Sequence, residues 1–264
     1  MRHMIVGAQI NLSPSAARTG KAEFLRPRNR LRSCLVTRLN TTKSVSSVIT
    51  MMAVLLLARA LRAQEHAPTA HHGFGDVAHW AGVFESPDRA KWQKPDEVVQ
   101  ALDLKPGQTV IDIGAGTGYF TRRFAKAVGP SGAVIALDVE PGMVDYMKAD
   151  ARKLGLQNYH ARVVKADDPE LSPNSADVIF FCDTLHHVDD RLAYLRKLAP
   201  ALKPGGRIAV VDFKKNAPEG PPKRMKLSRE RMIDQFSKAG YNMVREYKFL
   251  PYQYFLEFEP AAHG

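Results

Sequence analysis

The sequence predicts an α/β protein with a doubly wound sheet, on two observations. Residues 109–120 form a short apolar run that carries one acid and ends in glycines at alternate positions, and a helical pattern covers residues 119–128. Further short apolar runs alternate with helical segments downstream. Such alternation is typical of strands joined by helices across a largely parallel sheet.

The turn after the first strand carries the strongest functional signal. Gly114, Gly116 and Gly118 allow the backbone to lie flat against a ligand at the start of a helix, where nucleotides bind. A dinucleotide fingerprint requires Gly-x-Gly-x-x-Gly, but here the third glycine comes one residue early. The spacing argues against a dinucleotide, and a βα turn of an ordinary doubly wound domain is the alternative.

The second and third predicted strands also end near acids. Residues 133–138 form an apolar run that ends in Asp138, about twenty residues downstream, where a ribose-binding carboxylate is expected. Residues 159–164 are followed by Asp167 and Asp168 before a proline. Two such acids are also compatible with a turn or a helix N-cap.

Four further segments complete the predicted elements. Residues 175–183 indicate a buried strand with an acid near each end, and residues 208–211 a strand that follows a Pro-Gly-Gly turn. A helix is predicted at 228–239, with Ser228 as its N-cap. Two strand-like runs, 244–250 and 252–258, close the chain around Pro251.

These motifs, in this order and spacing, resemble those of the class I S-adenosylmethionine-dependent methyltransferases. The resemblance covers about residues 95–258. It implies a doubly wound, seven-stranded mixed sheet with an antiparallel C-terminal edge hairpin and helices on both faces. It also implies S-adenosyl-L-methionine as the cofactor, with S-adenosyl-L-homocysteine as its product.

The resemblance further implies a set of cofactor-binding residues. Asp138 would accept hydrogen bonds from the ribose hydroxyls, and Asp167, or alternatively Asp168, from the adenine amino group. Val139 and Met143 would pack on the adenine, although plain core packing is the alternative for Met143. The glycine-rich loop would wrap the methionine portion, with the implied residues Asp112, Gly114, Ala115, Gly116, Thr117 and Gly118.

The end of the fourth strand supplies the candidate catalytic residues. In the family this strand commonly ends in Asn or Asp and a Leu-His-His-like stretch beside the transferred methyl, and here Asp183 precedes Thr-Leu-His-His. His187, and after it His186, are candidates for a general base, because imidazole titrates near neutrality. Asp183 would position the acceptor or the cofactor's amino group. A structural role is the alternative for His187.

The charge of the chain is concentrated at its N-terminus. The formal net charge is +11, but residues 1–63 contain eleven Lys or Arg and one acid. Subtraction from the totals leaves 27 basic and 26 acidic residues in 64–264, a net charge of +1. The composition of the predicted folded part therefore gives no argument for a nucleic-acid partner.

The N-terminal arm, residues 1–63, is predicted to contain a targeting or anchor signal. Residues 48–60 are an apolar run, too short for a comfortable transmembrane span but suited to a signal-peptide core. We expect export or membrane anchoring, with possible cleavage before Gln64. An Arg-rich organelle transit peptide and a cytoplasmic location are the alternatives.

Two regions follow the arm. Residues 64–94 contain both tryptophans and a helical pattern at 77–84, which predicts a helical N-terminal lid over the cofactor site. Residues 95–264 are the predicted methyltransferase domain. We find no Cys/His spacing typical of zinc, so no metal is expected.

The sequence thus predicts a methyltransferase that acts by direct displacement on a small-molecule acceptor, or on a protein carboxyl group. The broad group that includes quinone methyltransferases fits best, because motifs for arsenite and for amino-group methylation are missing. A cofactor-binding protein of the same fold without turnover is one alternative. An NAD-dependent oxidoreductase is another, and the early third glycine argues against it.

Overall fold

The computed structural model describes residues 73–261. Three short helices come first: α1 (Val77–Phe84), α2 (Pro87–Gln93) and α3 (Pro95–Ala101). The next elements are β1 (Thr109–Ile113), α4 (Thr121–Val128), β2 (Ala133–Asp138), α5 (Pro141–Leu154), β3 (Tyr159–Val163) and β4 (Ala176–Cys182). The last are α6 (Arg191–Arg196), β5 (Leu202–Phe213), α7 (Arg229–Lys238), β6 (Tyr241–Tyr247) and β7 (Gln253–Pro260).

The seven strands form one sheet in the order β3-β2-β1-β4-β5-β7-β6. The first five strands pair in parallel, and β7 runs antiparallel to both β5 and β6. The predicted seven-stranded mixed sheet with an antiparallel C-terminal hairpin is therefore confirmed. The order reverses direction between β1 and β4, and ligands of open α/β sheets bind at such a switch point.

Both faces of the sheet are buried, as the continuous apolar runs predict. On one face Ile111 and Ile179 join Phe236 of α7 in a core cluster. On the other face Val110 packs in a second cluster with Phe124 of α4. Alternate residues of the central strands thus serve opposite layers of helices.

The bounds of the last two strands differ from the prediction. Strand β6 ends at Tyr247 rather than at residue 250, and β7 begins one residue later and ends two residues later than expected. The connecting loop has its own anchors: Lys214 Nζ donates to the carbonyls of Leu250 and Pro251, at 2.8 and 3.1 Å. Leu250 is buried there although it lies outside a strand. An apolar side chain that is buried in a loop has the same sequence pattern as one in a strand.

Two earlier elements also begin elsewhere. Helix α4 starts at Thr121 rather than at residue 119, because Tyr119 and Phe120 complete the turn below the glycines. Strand β5 starts at Leu202, so the Pro-Gly-Gly turn lies within it. The register between β4 and β5 shifts there, between Ala176 and Val178.

Within residues 73–261, no helix combines the length and the apolar character needed to cross a membrane. The predicted targeting or anchor segment, residues 48–60, lies outside the residues described. The same holds for residues 64–72 of the predicted lid.

Candidate cofactor and acceptor site

The glycine-rich loop lies at the carboxyl end of the sheet, between β1 and α4. The amides of Gly114 and Ala115 donate to the carbonyl of Leu137 in β2, at 2.8 and 3.0 Å. Gly114 and Gly116 have φ angles of +70° and +57°, in the left-handed region that favours glycine. A Cβ at Gly114 would overlap the side chain of Thr184, which follows β4. Only glycine therefore lets β1 and β4 approach each other at this edge.

Asp138 connects the second strand to this loop. Its Oδ2 accepts from the amide of Gly116 at 2.8 Å, and its Oδ1 accepts from the amide of Glu140 at 3.0 Å. Burial raises the pKa of the Asp138 carboxyl, and these backbone bonds oppose the rise. Val139, the next residue, is 47% exposed. A carboxylate and an apolar side chain thus face the same edge, as ribose and adenine would require.

Asp112 lies deeper than the resemblance suggests. Its carboxylate is buried, and Oδ2 accepts from the hydroxyl of Thr121 at 2.6 Å, at the start of α4. Burial raises the pKa of Asp112 to about 7. Met143 in the first turn of α5 is 1% exposed. The structure places Asp112 beneath the loop and encloses Met143, so neither side chain offers an open surface.

The two acids after β3 differ in their contacts. Asp168 Oδ2 forms an ion pair with Lys197 at 3.0 Å, and Oδ1 accepts from the amide of Glu170 at 2.8 Å. This is the turn arrangement named as the alternative for the pair. Asp167 is exposed, and its backbone carbonyl accepts from Lys197. Asp167 therefore remains the better candidate for the adenine amino group.

Helix α1 packs against the loop and the start of α5. A Cβ at Gly116 would lie 3.4 Å from the Phe84 ring, and Val77 contacts the position of Gly142. Just beyond the helix, Glu85 accepts two hydrogen bonds from Arg122, both at 2.8 Å. Burial works against the charge of Glu85, but the Arg122 contact prevails and lowers the pKa of that carboxyl. The segment that the sequence predicts as a lid thus lies on the predicted cofactor loop.

Asp183, at the end of β4, is the centre of a polar cluster. Its Oδ1 accepts from Gln253 Nε2 of β7 at 2.7 Å, and its Oδ2 accepts from Gln93 Nε2 of α2 at 3.1 Å. Asp183 has a φ angle of +55°, an uncommon conformation that often marks functional positions. Burial raises the pKa of Asp183 to about 6, and the charge of Asp212 adds to this rise.

The two candidate histidines have different environments. His186 is 2% exposed, and its Nδ1 lies 3.2 Å from Asp212 Oδ1 at the end of β5. Burial opposes protonation of His186, but the Asp212 carboxylate outweighs it and raises the pKa of the imidazole. His187 is half-buried, and its ring lies 4.2 Å from that of His186 and 5.6 Å from that of Phe74. His187 is thus the more accessible of the pair.

Sequence reasoning missed three members of this cluster: Gln93, Asp212 and Gln253. Asp212 follows an apolar run at the carboxyl end of a strand. The same pattern identified Asp138 and Asp183, so Asp212 could have been predicted from the sequence. The two glutamines carry no such signal, because neither lies in a motif. Arg89, whose guanidinium contacts Gln93 Oε1 and lies 4.1 Å from the centre of the Tyr119 ring, was also missed.

The loop and its surroundings fit S-adenosylmethionine. Three glycines with left-handed φ angles form the turn of the loop, and the carboxylate of Asp138 lies beside the exposed Val139. Among residues 73–261, no group of three or more His, Cys, Asp and Glu side chains is arranged to hold a metal ion. The residues that would hold the cofactor are therefore the loop, Asp138 and Val139.

Comparison with known proteins agrees with this geometry. Residues 104–247 match the family described as methyltransferase domain. The chain is 33% identical over 175 residues to a ubiquinone/menaquinone biosynthesis C-methyltransferase UbiE of Ectopseudomonas mendocina, which covers 58% of this chain and 68% of that protein. The protein of the same name from Vibrio vulnificus is 35% identical over 173 residues, with 58% and 66% covered.

A solved structure is similar over a larger share of its own length. It is a SAM-dependent methyltransferase from Aquifex aeolicus, with a TM-score of 0.66 and 28% identity, covering 71% of this chain and 98% of that one. The family match extends over more than half of the chain. The NAD-dependent alternative is therefore wrong, and the chain belongs to the class I S-adenosylmethionine-dependent methyltransferases.

Proposed function

We propose that this protein methylates a ring carbon of a small quinol-type acceptor. The observation that carries the proposal is the cluster of Asp183 with the buried pair His186 and Asp212 beside the glycine loop, with His187 at its accessible side. The names of the similar C-methyltransferases support the acceptor class. A phenol of this kind needs a base near neutral pH, since its hydroxyl otherwise keeps its proton.

The chain's first task is to align the two reactants. The cofactor supplies an electrophilic methyl group when bound, and catalysis then depends chiefly on orientation and exclusion of water. The loop and Asp138 would orient the methyl toward the end of β4. Helix α1, with Phe84 against Gly116, would exclude water from that space.

The second task is proton transfer at the acceptor. In this proposal His187 takes the proton of the acceptor hydroxyl, which makes the neighbouring ring carbon nucleophilic. That carbon would gain the methyl, with the bonding electron pair left on the cofactor's sulfur, and would then release its own hydrogen to solvent as a proton. The aromatic oxygen would take back the proton held by His187, which restores the hydroxyl. His186, fixed by Asp212, positions the ring of His187, and Asp183 orients the acceptor.

The test is transfer of labelled methyl from S-adenosylmethionine to menadiol by the full chain, with menadiol dimethyl ether as the acceptor that has no hydroxyl. We expect label in menadiol alone. His187→Ala should lower kcat at least a hundredfold and leave the Kd for S-adenosylhomocysteine unchanged. His160→Ala is the matched control, because His160 is exposed on β3.

Two outcomes would contradict the proposal. Binding of S-adenosylhomocysteine without transfer to either acceptor would favour a cofactor-binding protein without turnover. Full activity of His187→Ala would remove His187 as the base.

The predicted export or anchor segment is compatible with such an acceptor. Quinols with long apolar tails reside in membranes, and residues 48–60 would bring the enzyme to that surface. Membrane fractionation of the full chain, compared with a chain that starts at Gln64, tests this. Equal distribution of both chains in the soluble fraction would contradict it.

A further inference from the structure

The loop between β5 and α7 forms a basic pocket whose lining contains none of the residues assigned to methyl transfer above. The pocket has a volume of about 570 Å³. Its lining is rich in proline, glycine and lysine: Lys215, Asn216, Ala217, Pro218, Gly220, Pro221, Pro222, Lys223 and Lys226. Residues 214–226 contain five Lys or Arg and a single acid, Glu219. This concentration stands out because residues 64–264 carry a net charge of only +1.

Lys226 is the unusual member of the lining. Its side chain is 4% exposed, whereas lysines are almost never this buried without a partner. Its Nζ donates to the carbonyl of Ala217 at 2.6 Å and lies 5.5 Å from the centre of the Phe213 ring. Burial lowers the pKa of Lys226, and the more distant Glu219 opposes this only in part. Within the described part of the chain, the lysines of the pocket form no ion pair with a carboxylate.

The pocket lies on the acceptor side of the sheet. The predicted cofactor residues follow β1, β2 and β3, whereas the pocket follows β5, which lies beyond β4 in the sheet order. Phe213 separates the two sites: its amide donates to Asp212 Oδ1 at 2.7 Å, and its ring faces Lys226. Trp92 of α2 packs on the same ring at 5.5 Å. Phe213 is 4% exposed and links the two sites, because its ring faces the pocket lysine and its backbone bonds Asp212.

We propose that this pocket binds an anionic group, a carboxylate or phosphate, on the methyl acceptor, with Lys226 as the specificity-determining residue. The inference rests on the proposed function, since it names a further feature of the same acceptor. An anion would give the buried Lys226 ammonium a partner of opposite charge. The Lys215 and Lys223 side chains would strengthen binding of the same anion.

The test measures binding without the cofactor, so it does not depend on methyl transfer. Benzoate and benzamide have the same shape, but only benzoate is charged. Trp92 reports binding by its fluorescence in a Trp80→Phe background, because the chain has two tryptophans. We expect benzoate to bind at least ten times more tightly than benzamide. Lys226→Met should reduce this ratio to less than two.

Arg224→Met is the matched control, because Arg224 is an exposed cation of the same loop outside the pocket lining. The control should keep the preference for benzoate. Equal binding of benzoate and benzamide by the parent protein would overturn the proposal. So would an equal loss of the benzoate preference in Lys226→Met and Arg224→Met. Should Lys226→Met fail to fold, Lys215→Met replaces it, with an expected loss of at least threefold in the ratio.

A lipid headgroup could present the same chemistry. Sedimentation with phosphatidylglycerol vesicles that depends on Lys226, without any preference for benzoate, would assign the pocket to a lipid and overturn the acceptor proposal. Selective benzoate binding by a chain that methylates no quinol would instead contradict only the proposed function. The two proposals therefore fail in distinguishable ways.

Discussion

The predicted cofactor side and the proposed acceptor side of this site are built differently. The cofactor side, residues 112–168, is one continuous stretch in which the loop, Asp138, the start of α5 and the two acids after β3 follow each other along the chain. The acceptor side brings together four distant places: Gln93 of α2, Asp183 and His186 after β4, Asp212 of β5 and Gln253 of β7. Local chain geometry thus sets one half, and strand order sets the other.

The two sides also contain buried acids with different support. Asp112 has a single side-chain donor, the Thr121 hydroxyl, whereas Asp183 accepts from two glutamine amides. Burial raises the pKa of both, to about 7 for Asp112 and about 6 for Asp183. We therefore expect Asp112 to hold the loop in place and Asp183 to remain able to accept a proton or to pair with a positive charge.

The largest expected effect joins the two sides. Gly114→Ala should lower the free energy of unfolding by about 3–5 kcal/mol, from the positive φ angle and the overlap with Thr184. Gly155→Ala is the control, since Gly155 has a similar φ of +67° and open space around it. Gly155→Ala should lower the free energy of unfolding by about 1–2 kcal/mol. Urea denaturation measures both variants. Equal losses would show that the contact between β1 and β4 is unimportant.

The second effect sharpens the contrast between the two acids. The pKa of Asp112 is raised on folding from 3.8 to about 7, so the native state holds this proton to higher pH than the unfolded state. Its ionisation therefore lowers the stability of the wild type as pH rises from about 4 to 7. Asp112→Asn removes that loss and can still accept from Thr121. The free energy of unfolding of Asp112→Asn, relative to that of the wild type, should rise by up to about 4 kcal/mol from pH 4 to pH 7.

Denaturant melts of both proteins at pH 4, 6 and 8 measure this difference. A difference that stays constant with pH would show that Asp112 ionises as an ordinary carboxyl. It would also remove the distinction between its support and that of Asp183.

The third effect tests the cofactor side alone. Asp138→Ala should weaken S-adenosylhomocysteine binding about a hundredfold in calorimetry, because two charge-assisted hydrogen bonds together contribute about 3 kcal/mol. Asp167→Ala should cost about tenfold and Asp168→Ala less than twofold, since Asp168 is held by Lys197. Unchanged affinity in Asp138→Ala would rule out the ribose assignment. A larger loss of affinity in Asp168→Ala than in Asp167→Ala would assign the adenine contact to Asp168 instead of Asp167.

The smallest effect tests whether the acceptor side acts as one unit. Gln93 Nε2 also lies 3.2 Å from Gln253 Oε1, so the two amides share Asp183 and each other. A double-mutant cycle of Gln93→Ala and Gln253→Ala should give a coupling energy of about 1 kcal/mol in unfolding. Additive losses would show that the cluster is a set of independent contacts.

Most of the fold was predictable, and the boundary error at the last two strands has a clear physical cause. The parallel strands follow from apolar runs with acids at their ends, because burial on both faces leaves that pattern. The predicted end of β6 is too late because Leu250 is buried in a loop, where Lys214 donates to its carbonyl, and not in a strand. Burial alone does not distinguish strand from loop where the anchoring contact comes from elsewhere in the chain.

By itself the sequence determined the glycine-rich loop, the acids in or after the first four strands and the family to which they belong. These features depend on backbone conformation and hydrophobic period, which act over a few residues. Only the tertiary structure decided that Gln93 and Gln253, separated by 160 residues, meet at Asp183, and that Asp212 pairs with His186. Such meetings follow from the order of strands in the sheet, and strand order is set by packing across the whole domain.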